Sequence, residues 1–205
     1  MRYTGPKGRL CRREGVNLFG SPKYQKILSR RTGIPGMHGT KRRGKETEYG
    51  KQLREKQKAK RMFCLSEKQF RRYFDKAARS KGITGDNLLQ LLEQRLDNAI
   101  YRAGFALTRI QARQFASHGL FMVNGRRVNV PSIMLKPGDK VEVRPKSKSS
   151  AVFKTNFEER GDDYSAPKWV SVDRKEICFD VADLPGADSF EGLIKPQYIV
   201  EFYSR

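Results

Sequence analysis

Apolar residues after Ser66 recur at the spacing of an α-helix. Ser66 and Gln69 have the spacing of a capping box, in which each side chain bonds a backbone amide at the helix N-terminus. The apolar stripe that follows comprises Phe70, Tyr73, Phe74, Ala77 and Ala78. This period predicts a helix that packs its stripe into a core, and we prefer that interpretation to an aromatic platform that stacks on a ligand.

A second apolar series predicts a longer helix that begins at Asp86 and stops at Gly104. Its positions are Leu88, Leu92, Leu96, Ala99 and Ala103. A further capping box at residues 108–111 opens a short helix that ends at Gly119. We therefore expect one long and one short helix in this part of the chain.

Alternation and turn signals follow Gly119. Asn124-Gly125 is a strong hairpin signal, because both central residues of that turn adopt positive φ. Strands are predicted on either side of it and at 141–143, 169–172 and 177–181. We also expect a helical piece near 152–160 and, because Pro196 suits a first helical turn, a final helix over 198–203.

Residues 1–45 form a basic N-terminal arm, rich in Gly, Pro, Arg and Lys and poor in apolar residues. Such a segment is not expected to bury a core alone. A disordered tail and an arm ordered by a partner are both consistent with it, and the second is favoured by its scattered apolar residues. Residues 46–60 then turn helical, but that helix is so basic that it needs a neighbour or phosphates beside it.

Charge is the most informative feature of the composition, because it indicates the class of ligand. The chain has 43 Lys and Arg against 22 Asp and Glu, a net charge of +21. Residues 1–81 carry 25 basic and 6 acidic side chains, whereas residues 151–205 carry 7 and 11. A polyanion partner explains this surplus better than an anionic membrane surface or mere solubility does, because neutralised phosphates release counterions.

The remaining chemistry is sparse. Cys11, Cys64 and Cys178 are far apart and form no Cys-x-x-Cys spacing, which favours a reducing compartment over disulfides. The first residues lack the apolar region of a secretory signal, and no stretch is long and apolar enough to span a membrane. We find no catalytic constellation, and expect no cofactor.

Arginines concentrate around the predicted short helix and hairpin. Arg109 and Arg113 are four residues apart, so they share a helix face and repel each other unless a phosphate lies between them. Arginine forks match phosphate oxygens, and a compact basic unit of this kind is typical of RNA recognition by shape. The wider set is Arg95, Arg102, Arg109, Arg113, Arg126 and Arg127.

Residues 93–98, 102–109, 117–119 and 128–132 resemble the RNA-binding domain named for the fourth protein of the small ribosomal subunit. That domain also occurs in pseudouridine synthases, tyrosyl-tRNA synthetases and a heat-shock ribosome-binding protein. The flanks, among them residues 2–7, 35–39, 49–58 and 198–205, resemble the bacterial or plastid type of that ribosomal protein family itself. The resemblance covers essentially the whole chain.

The resemblance implies an α+β fold in which a helical domain is interrupted by an α/β RNA-binding domain. We expect the arm at 1–45, the helical domain at 46–90, completed by a C-terminal helix at 194–205, and the RNA-binding domain at 91–193. That last domain should hold two short helices and an antiparallel sheet with the Asn-Gly hairpin. Many relatives bind zinc in the arm, but only Cys11 and His38 are available here, so we expect no metal.

The resemblance also implies a non-enzymatic role in the small ribosomal subunit. Its members bind the 5′ domain of the rRNA early in assembly and influence decoding accuracy together with the neighbouring fifth protein. The expected location is the ribosome, in the cytoplasm or an organelle stroma, with no membrane and no homo-oligomer. An RNA-modifying enzyme or a ribosome-associated factor that carries the same domain is the alternative.

Specific residues follow from charge and resemblance together. Those expected near the channel through which mRNA enters are Lys41, Arg42, Arg43 and Lys45. Those expected to bind RNA are Arg2, Lys7, Arg12, Arg13, Lys51, Arg54, Lys56, Lys58, Arg61, Arg71, Arg95, Arg102, Arg109, Arg113, Gln114, Arg126 and Arg127.

Overall fold

A computed structural model describes residues 3–37, 39, 46–161 and 164–204. In chain order its elements are α1 (Lys7–Glu14), α2 (Pro22–Arg30), α3 (Glu48–Met62), α4 (Glu67–Arg79), α5 (Thr84–Glu93), α6 (Leu96–Arg102), α7 (Arg109–Ser117), β1 (Phe121–Val123), β2 (Arg126–Val128), β3 (Lys140–Val143), α8 (Pro145–Lys148), α9 (Ala151–Arg160), β4 (Val170–Asp173), β5 (Cys178–Val181), a 3₁₀ turn (Ala187–Ser189) and α10 (Pro196–Tyr203). The chain divides into two compact units. We call Met1–Leu88 with Glu191–Arg205 the helical unit, and Leu89–Phe190 the mixed unit.

In the helical unit, the capping box at the start of α4 is confirmed. The Ser66 hydroxyl accepts from the Gln69 amide, and the Gln69 side chain accepts from the Ser66 amide. Phe70 and Phe74 are buried, and the Phe74 ring lies 4.5 Å from that of Tyr203 at the end of α10. Of the predicted stripe, Phe70, Phe74 and Ala77 are core residues, whereas Tyr73 is half-buried and Ala78 is exposed. The predicted C-terminal helix supplies part of that core.

The described part of the arm forms α1 and α2. Cys11, Leu18 and Phe19 are buried, and the rings of Phe19 and Tyr24 lie 5.6 Å apart. The sequence left a disordered tail and an arm ordered by a partner as alternatives. In the structure the described part of the arm has helices and buried apolar residues. Glu14 connects it to α3 through Arg54 and Arg61, so polar contacts add to the apolar ones.

The mixed unit contains a five-stranded antiparallel sheet in the order β2-β1-β3-β5-β4. Asn124 and Gly125 have φ values of 50° and 76°, which confirms the predicted Asn-Gly hairpin. Phe105, Phe121, Phe153 and Phe179 form the centre of the core, with α6, α7 and α9 contributing its other residues. The expected α+β class is thus confirmed.

One predicted helix is wrong. The apolar series from Leu88 to Ala103 is divided between α5 and α6, because Arg95 has extended backbone angles (φ −66°, ψ 140°). Arg95 forms a β-bridge with Met134, and the Leu96 amide donates to the carbonyl of Ile133. Backbone pairing with a distant segment thus replaces the helical bonds at this point.

Candidate RNA interface

The break at Arg95 positions a buried ionic network in the mixed unit. Arg95 and Asp97 flank the start of α6, and their side chains form a fork-to-fork pair with N···O distances of 3.0 and 2.7 Å. Arg95 has no exposed surface. Arg113, on α7, donates to the same carboxylate at 2.8 Å. One carboxylate is therefore shared by two guanidinium groups, of which only that of Arg113 is partly exposed.

Glu93, at the end of α5, organises a second network. Both of its carboxylate oxygens accept from Arg102 at 2.8 Å, and Asn98 also donates to it. Arg109 donates to the Asn98 side-chain oxygen at 2.7 Å, approaches Glu93 at 3.8 Å and lies over the Tyr101 ring. Because Arg109 is only 7% exposed, its guanidinium is part of the packing.

These contacts correct the expectation that a phosphate must lie between Arg109 and Arg113. Protein groups already hold the two guanidiniums apart and satisfy them. Four arginines nevertheless share two carboxylates, so the cluster keeps a surplus of positive charge. Arg102 and Arg113 carry the accessible part of that surplus, whereas Arg95 and Arg109 fix the arrangement. A buried pair of this kind is costly to break but adds little net stability.

The arginines of the hairpin are exposed, unlike those of the two ionic networks. Arg126 and Arg127 on β2 are exposed, opposite Val123 and Met122 of β1. The guanidinium of Arg127 lies against Gly119, where a Cβ would be 2.9 Å from its Nε, and Gly119 has a φ of 65°. A side chain at Gly119 would displace Arg127. Gln114 is also exposed, so these three predicted residues can reach a ligand directly.

On α3, every predicted RNA-binding cation has a carboxylate partner. Lys51 pairs with Glu48 at an N···O distance of 2.6 Å. Lys56 pairs with Glu67, and Lys58 with Glu55, each at 2.8 Å. Arg54 and Arg61 both pair with Glu14. Lys56 is buried and lies over the Phe202 ring at 4.4 Å. The structure thus brings these five residues together in ion pairs, and four of them remain partly exposed.

The two shared carboxylates of this region titrate differently. Burial raises the pKa of Glu14, although Arg54 and Arg61 pull it down. For Glu67, desolvation also raises the pKa, but hydrogen bonds from Lys56, Lys60 and Tyr203 outweigh it and hold the pKa at about 2. Burial raises the pKa of Tyr203, and its hydrogen bond to Glu67 raises that pKa further. Glu67 is therefore ionised under ordinary conditions and joins α3, α4 and α10.

The other predicted residues lie apart. On α1, Arg12 donates to the Gly33 carbonyl at 2.7 Å, Lys7 is half-buried and Arg13 is exposed. Arg71 on α4 is exposed, pairs with Asp75 at 3.4 Å and lies over the Tyr203 ring at 5.1 Å. The predictions for Arg2, Lys41, Arg42, Arg43 and Lys45, and for His38 as a metal ligand, fall outside the described residues.

Sequence reasoning missed two groups. Glu93 and Glu14 organise the arginines but have no local signal, because their partners lie up to 47 residues away. The exposed cations Arg72, Lys76 and Arg79 of α4 are absent from the predicted set, although their spacing places them on one face of the helix. Over the described ranges, no three His, Cys, Asp or Glu side chains cluster as metal ligands, and no helix is long and apolar enough to cross a membrane.

Comparison with known proteins identifies the family to which the chain is similar. Residues 2–93 match the family described as ribosomal protein S4/S9 N-terminal domain, and residues 94–141 match the S4 domain. Small ribosomal subunit protein uS4 of Pelotomaculum thermopropionicum is 50% identical over 100% of this chain and 99% of its own length. The uS4 proteins of Borrelia recurrentis and Borrelia turicatae are 47% and 46% identical, over 98% and 96% of their lengths.

Proposed function

Because this chain belongs to the uS4 family of small ribosomal subunit proteins, we propose that it is a structural constituent of the small ribosomal subunit and binds ribosomal RNA. The observation that carries this proposal is similarity over nearly the whole length of the uS4 relatives. An RNA-modifying enzyme with an appended domain is not favoured, because the relatives that match over nearly their whole length are named as small ribosomal subunit proteins.

The charge distribution supports RNA as the ligand. The chain carries a net charge of +21, and the arginine cluster of the mixed unit keeps a surplus after its internal pairing. The exposed residues Arg126, Arg127 and Gln114 lie on that same unit. RNA phosphates are the natural partners of such a surface, because their neutralisation releases counterions.

Roles can be divided according to exposure. We assign direct RNA contact to the exposed residues Arg13, Arg71, Gln114, Arg126 and Arg127. Partly exposed cations with internal partners should contribute less; these are Arg12, Lys51, Arg54, Lys58, Arg61, Arg102 and Arg113. Lys7 is half-buried and should also contribute less than the exposed residues. Arg95, Arg109 and Lys56 are buried, so they are positioning residues in this proposal.

The family resemblance extends the proposal to finer roles. Early binding to the 5′ domain of the rRNA, nucleation of subunit assembly and a contribution to accuracy with the fifth small-subunit protein are part of it. So is a place for Lys41, Arg42, Arg43 and Lys45 beside the path of incoming mRNA. The basic character of residues 41–45 supports this last assignment.

A binding titration tests the proposal. The full chain should bind a 5′-domain fragment of small-subunit rRNA more tightly than a large-subunit rRNA fragment of equal length. Its affinity should fall steeply, by roughly a thousandfold or more, between about 50 and 200 mM salt. A flat salt dependence, or equal affinity for both fragments, would contradict the proposal.

A further inference from the structure

Asn124, at the turn of the β1–β2 hairpin, uses its side chain as well as its backbone. Positive φ alone would also suit glycine or aspartate at this position. The Lys140 amide donates to the Asn124 side-chain oxygen at 2.9 Å, and the Asn124 backbone amide donates to the Lys140 carbonyl at 2.9 Å. In a regular hydrogen-bonded antiparallel pair, both acceptors are backbone carbonyls. The Asn124 side chain therefore extends the pairing of β1 with β3 one position beyond Val123 and Val141.

Asp139 connects the Asn124 side chain to a second turn. The Asn124 side-chain nitrogen donates to one carboxylate oxygen of Asp139 at 2.8 Å, and the Lys136 amide donates to the other at 2.7 Å. The Asp139 amide donates to the Lys136 carbonyl at 3.0 Å, which closes the turn at 136–139. The Val181 amide donates to the Asp139 carbonyl at 3.0 Å, so this turn is fixed to the end of β5. We call the contact between the two side chains the Asn124–Asp139 tie.

The hairpin lies at the edge of the sheet, where such a tie has most to contribute. β2 is an edge strand of three residues, and β1 is its neighbour in the sheet. Arg126 and Arg127 occupy two of these three positions, and both are exposed. Pairing with β1 aligns β2 along the hairpin, whereas the tie fixes the turn of the hairpin against β3. A segment that is already held in place loses less freedom when it binds a ligand, so its affinity is higher.

We propose that Asn124 and Asp139 are positioning residues for RNA binding, which hold Arg126 and Arg127 in their RNA-bound arrangement before the RNA arrives. Asp139 carries a negative charge and repels phosphates, so its place beside a basic hairpin indicates a role within the protein. Both of its carboxylate oxygens already accept hydrogen bonds from the protein. This inference rests on the proposed function, because it takes RNA contact by the hairpin arginines as its premise.

Asn124→Gly tests the tie without changing the net charge or the turn, because glycine also adopts positive φ. The affinity of the full chain for a 5′-domain fragment of small-subunit rRNA should fall by about threefold to tenfold, since two hydrogen bonds are lost. The log–log salt slope should keep its wild-type value, because no cation is removed. Wild-type affinity, or a slope lowered as far as Arg126→Gln/Arg127→Gln lowers it, would overturn the positioning role.

An exchange of the two side chains provides the matched control. Asn124→Asp alone places two carboxylates against each other and should lose more affinity than Asn124→Gly does. In Asn124→Asp/Asp139→Asn, the new carboxylate can accept from the Lys140 amide, and the new side-chain amide can donate to that carboxylate and accept from the Lys136 amide. This double variant has the wild-type net charge, and its affinity should return to within about twofold of the wild-type value.

The exchange also separates the tie from the function on which it rests. A double variant that binds as weakly as Asn124→Asp would overturn the tie while leaving the proposed function intact. A wild-type chain without salt-dependent rRNA binding would instead overturn the proposed function.

Discussion

Helices α3 and α4 follow one another in the chain and are both rich in lysine and arginine, but their cations have different surroundings. The predicted RNA-binding cations of α3 are paired with Glu14, Glu48, Glu55 and Glu67. In the described parts of the chain, Arg72, Lys76 and Arg79 on the outer face of α4 have no carboxylate within 4.0 Å. A basic helix can therefore be a packing element or a free cationic surface, and the count of basic residues does not distinguish the two.

The mixed unit contains both buried arginines with internal partners and exposed arginines. Arg95 and Arg109 are buried in carboxylate and amide contacts, whereas Arg126 and Arg127 project from the hairpin. A paired guanidinium loses some of its gain from a phosphate, because it already has a counter-charge. The following variants test this distinction, from the largest expected effect to the smallest.

Asp97→Asn should have the largest effect, on stability. The substitution removes the charge of Asp97 from beside the fully buried Arg95 and weakens the contact with Arg113. We expect the free energy of unfolding to fall by about 3–5 kcal/mol, measured by urea denaturation. Glu158→Gln, at an exposed position of α9, is the control and should change little. A loss close to that of the control would show that Arg95 does not depend on this pair.

Arg126→Gln/Arg127→Gln should act on RNA affinity and not on folding. Both side chains are exposed on β2, so their removal exposes no buried charge. We expect about a tenfold loss in affinity for the 5′-domain fragment, because two phosphate contacts disappear. Lys168→Gln/Lys175→Gln changes the charge equally and should lose much less. Similar losses in both variants would assign the effect to net charge and contradict the hairpin contact.

Glu67→Gln should change how the free energy of unfolding depends on pH. The pKa of Glu67 is lowered in the folded state from its ordinary 4.5 to about 2, so its stabilisation is present above pH 4.5 and is lost as pH falls towards 2. The side chain is 46% exposed, which limits the effect to about 1 kcal/mol. The stability difference between wild type and variant should shrink between these pH values. A difference that stays constant with pH would remove Glu67 as the titrating group.

Lys51→Gln should have the smallest effect. Lys51 and Glu48 form an exposed pair in the first turns of α3, with 41% and 63% of their side chains accessible. Solvent screens such pairs, so the urea midpoint should not change measurably. A clear shift of the midpoint would mean that the pairs of α3 act as a cooperative network and not singly.

Local features of this fold were readable from the sequence. The capping box of α4 depends on Ser66 and Gln69 alone, and the hairpin on Asn124 and Gly125, so neighbouring residues contain the necessary information. The second capping box formed only in part. The Thr108 hydroxyl accepts from the Gln111 amide, but the Gln111 side chain bonds the Leu107 amide.

Features set by distant residues were not readable. The apolar period continues unbroken through Arg95, but pairing with residues near Met134 ends the helix there. The pairing of Glu14 with Arg54 and Arg61 spans 40 and 47 residues, and no spacing rule covers such distances. The chain composition therefore predicted the class of ligand, but it could not predict which cations remain available to that ligand.

The salt dependence of RNA binding tests the comparison of α3 and α4 most directly. Two triples remove equal charge: Arg72→Gln/Lys76→Gln/Arg79→Gln on α4, and Lys51→Gln/Arg54→Gln/Lys58→Gln on α3. Each should be titrated with the same small-subunit rRNA after circular dichroism confirms folding. We predict that the α4 triple lowers the log–log slope by roughly two to three and the α3 triple by less than about one. Equal decreases, or a larger decrease for the α3 triple, would contradict the claim that internal pairing decides which cations bind RNA.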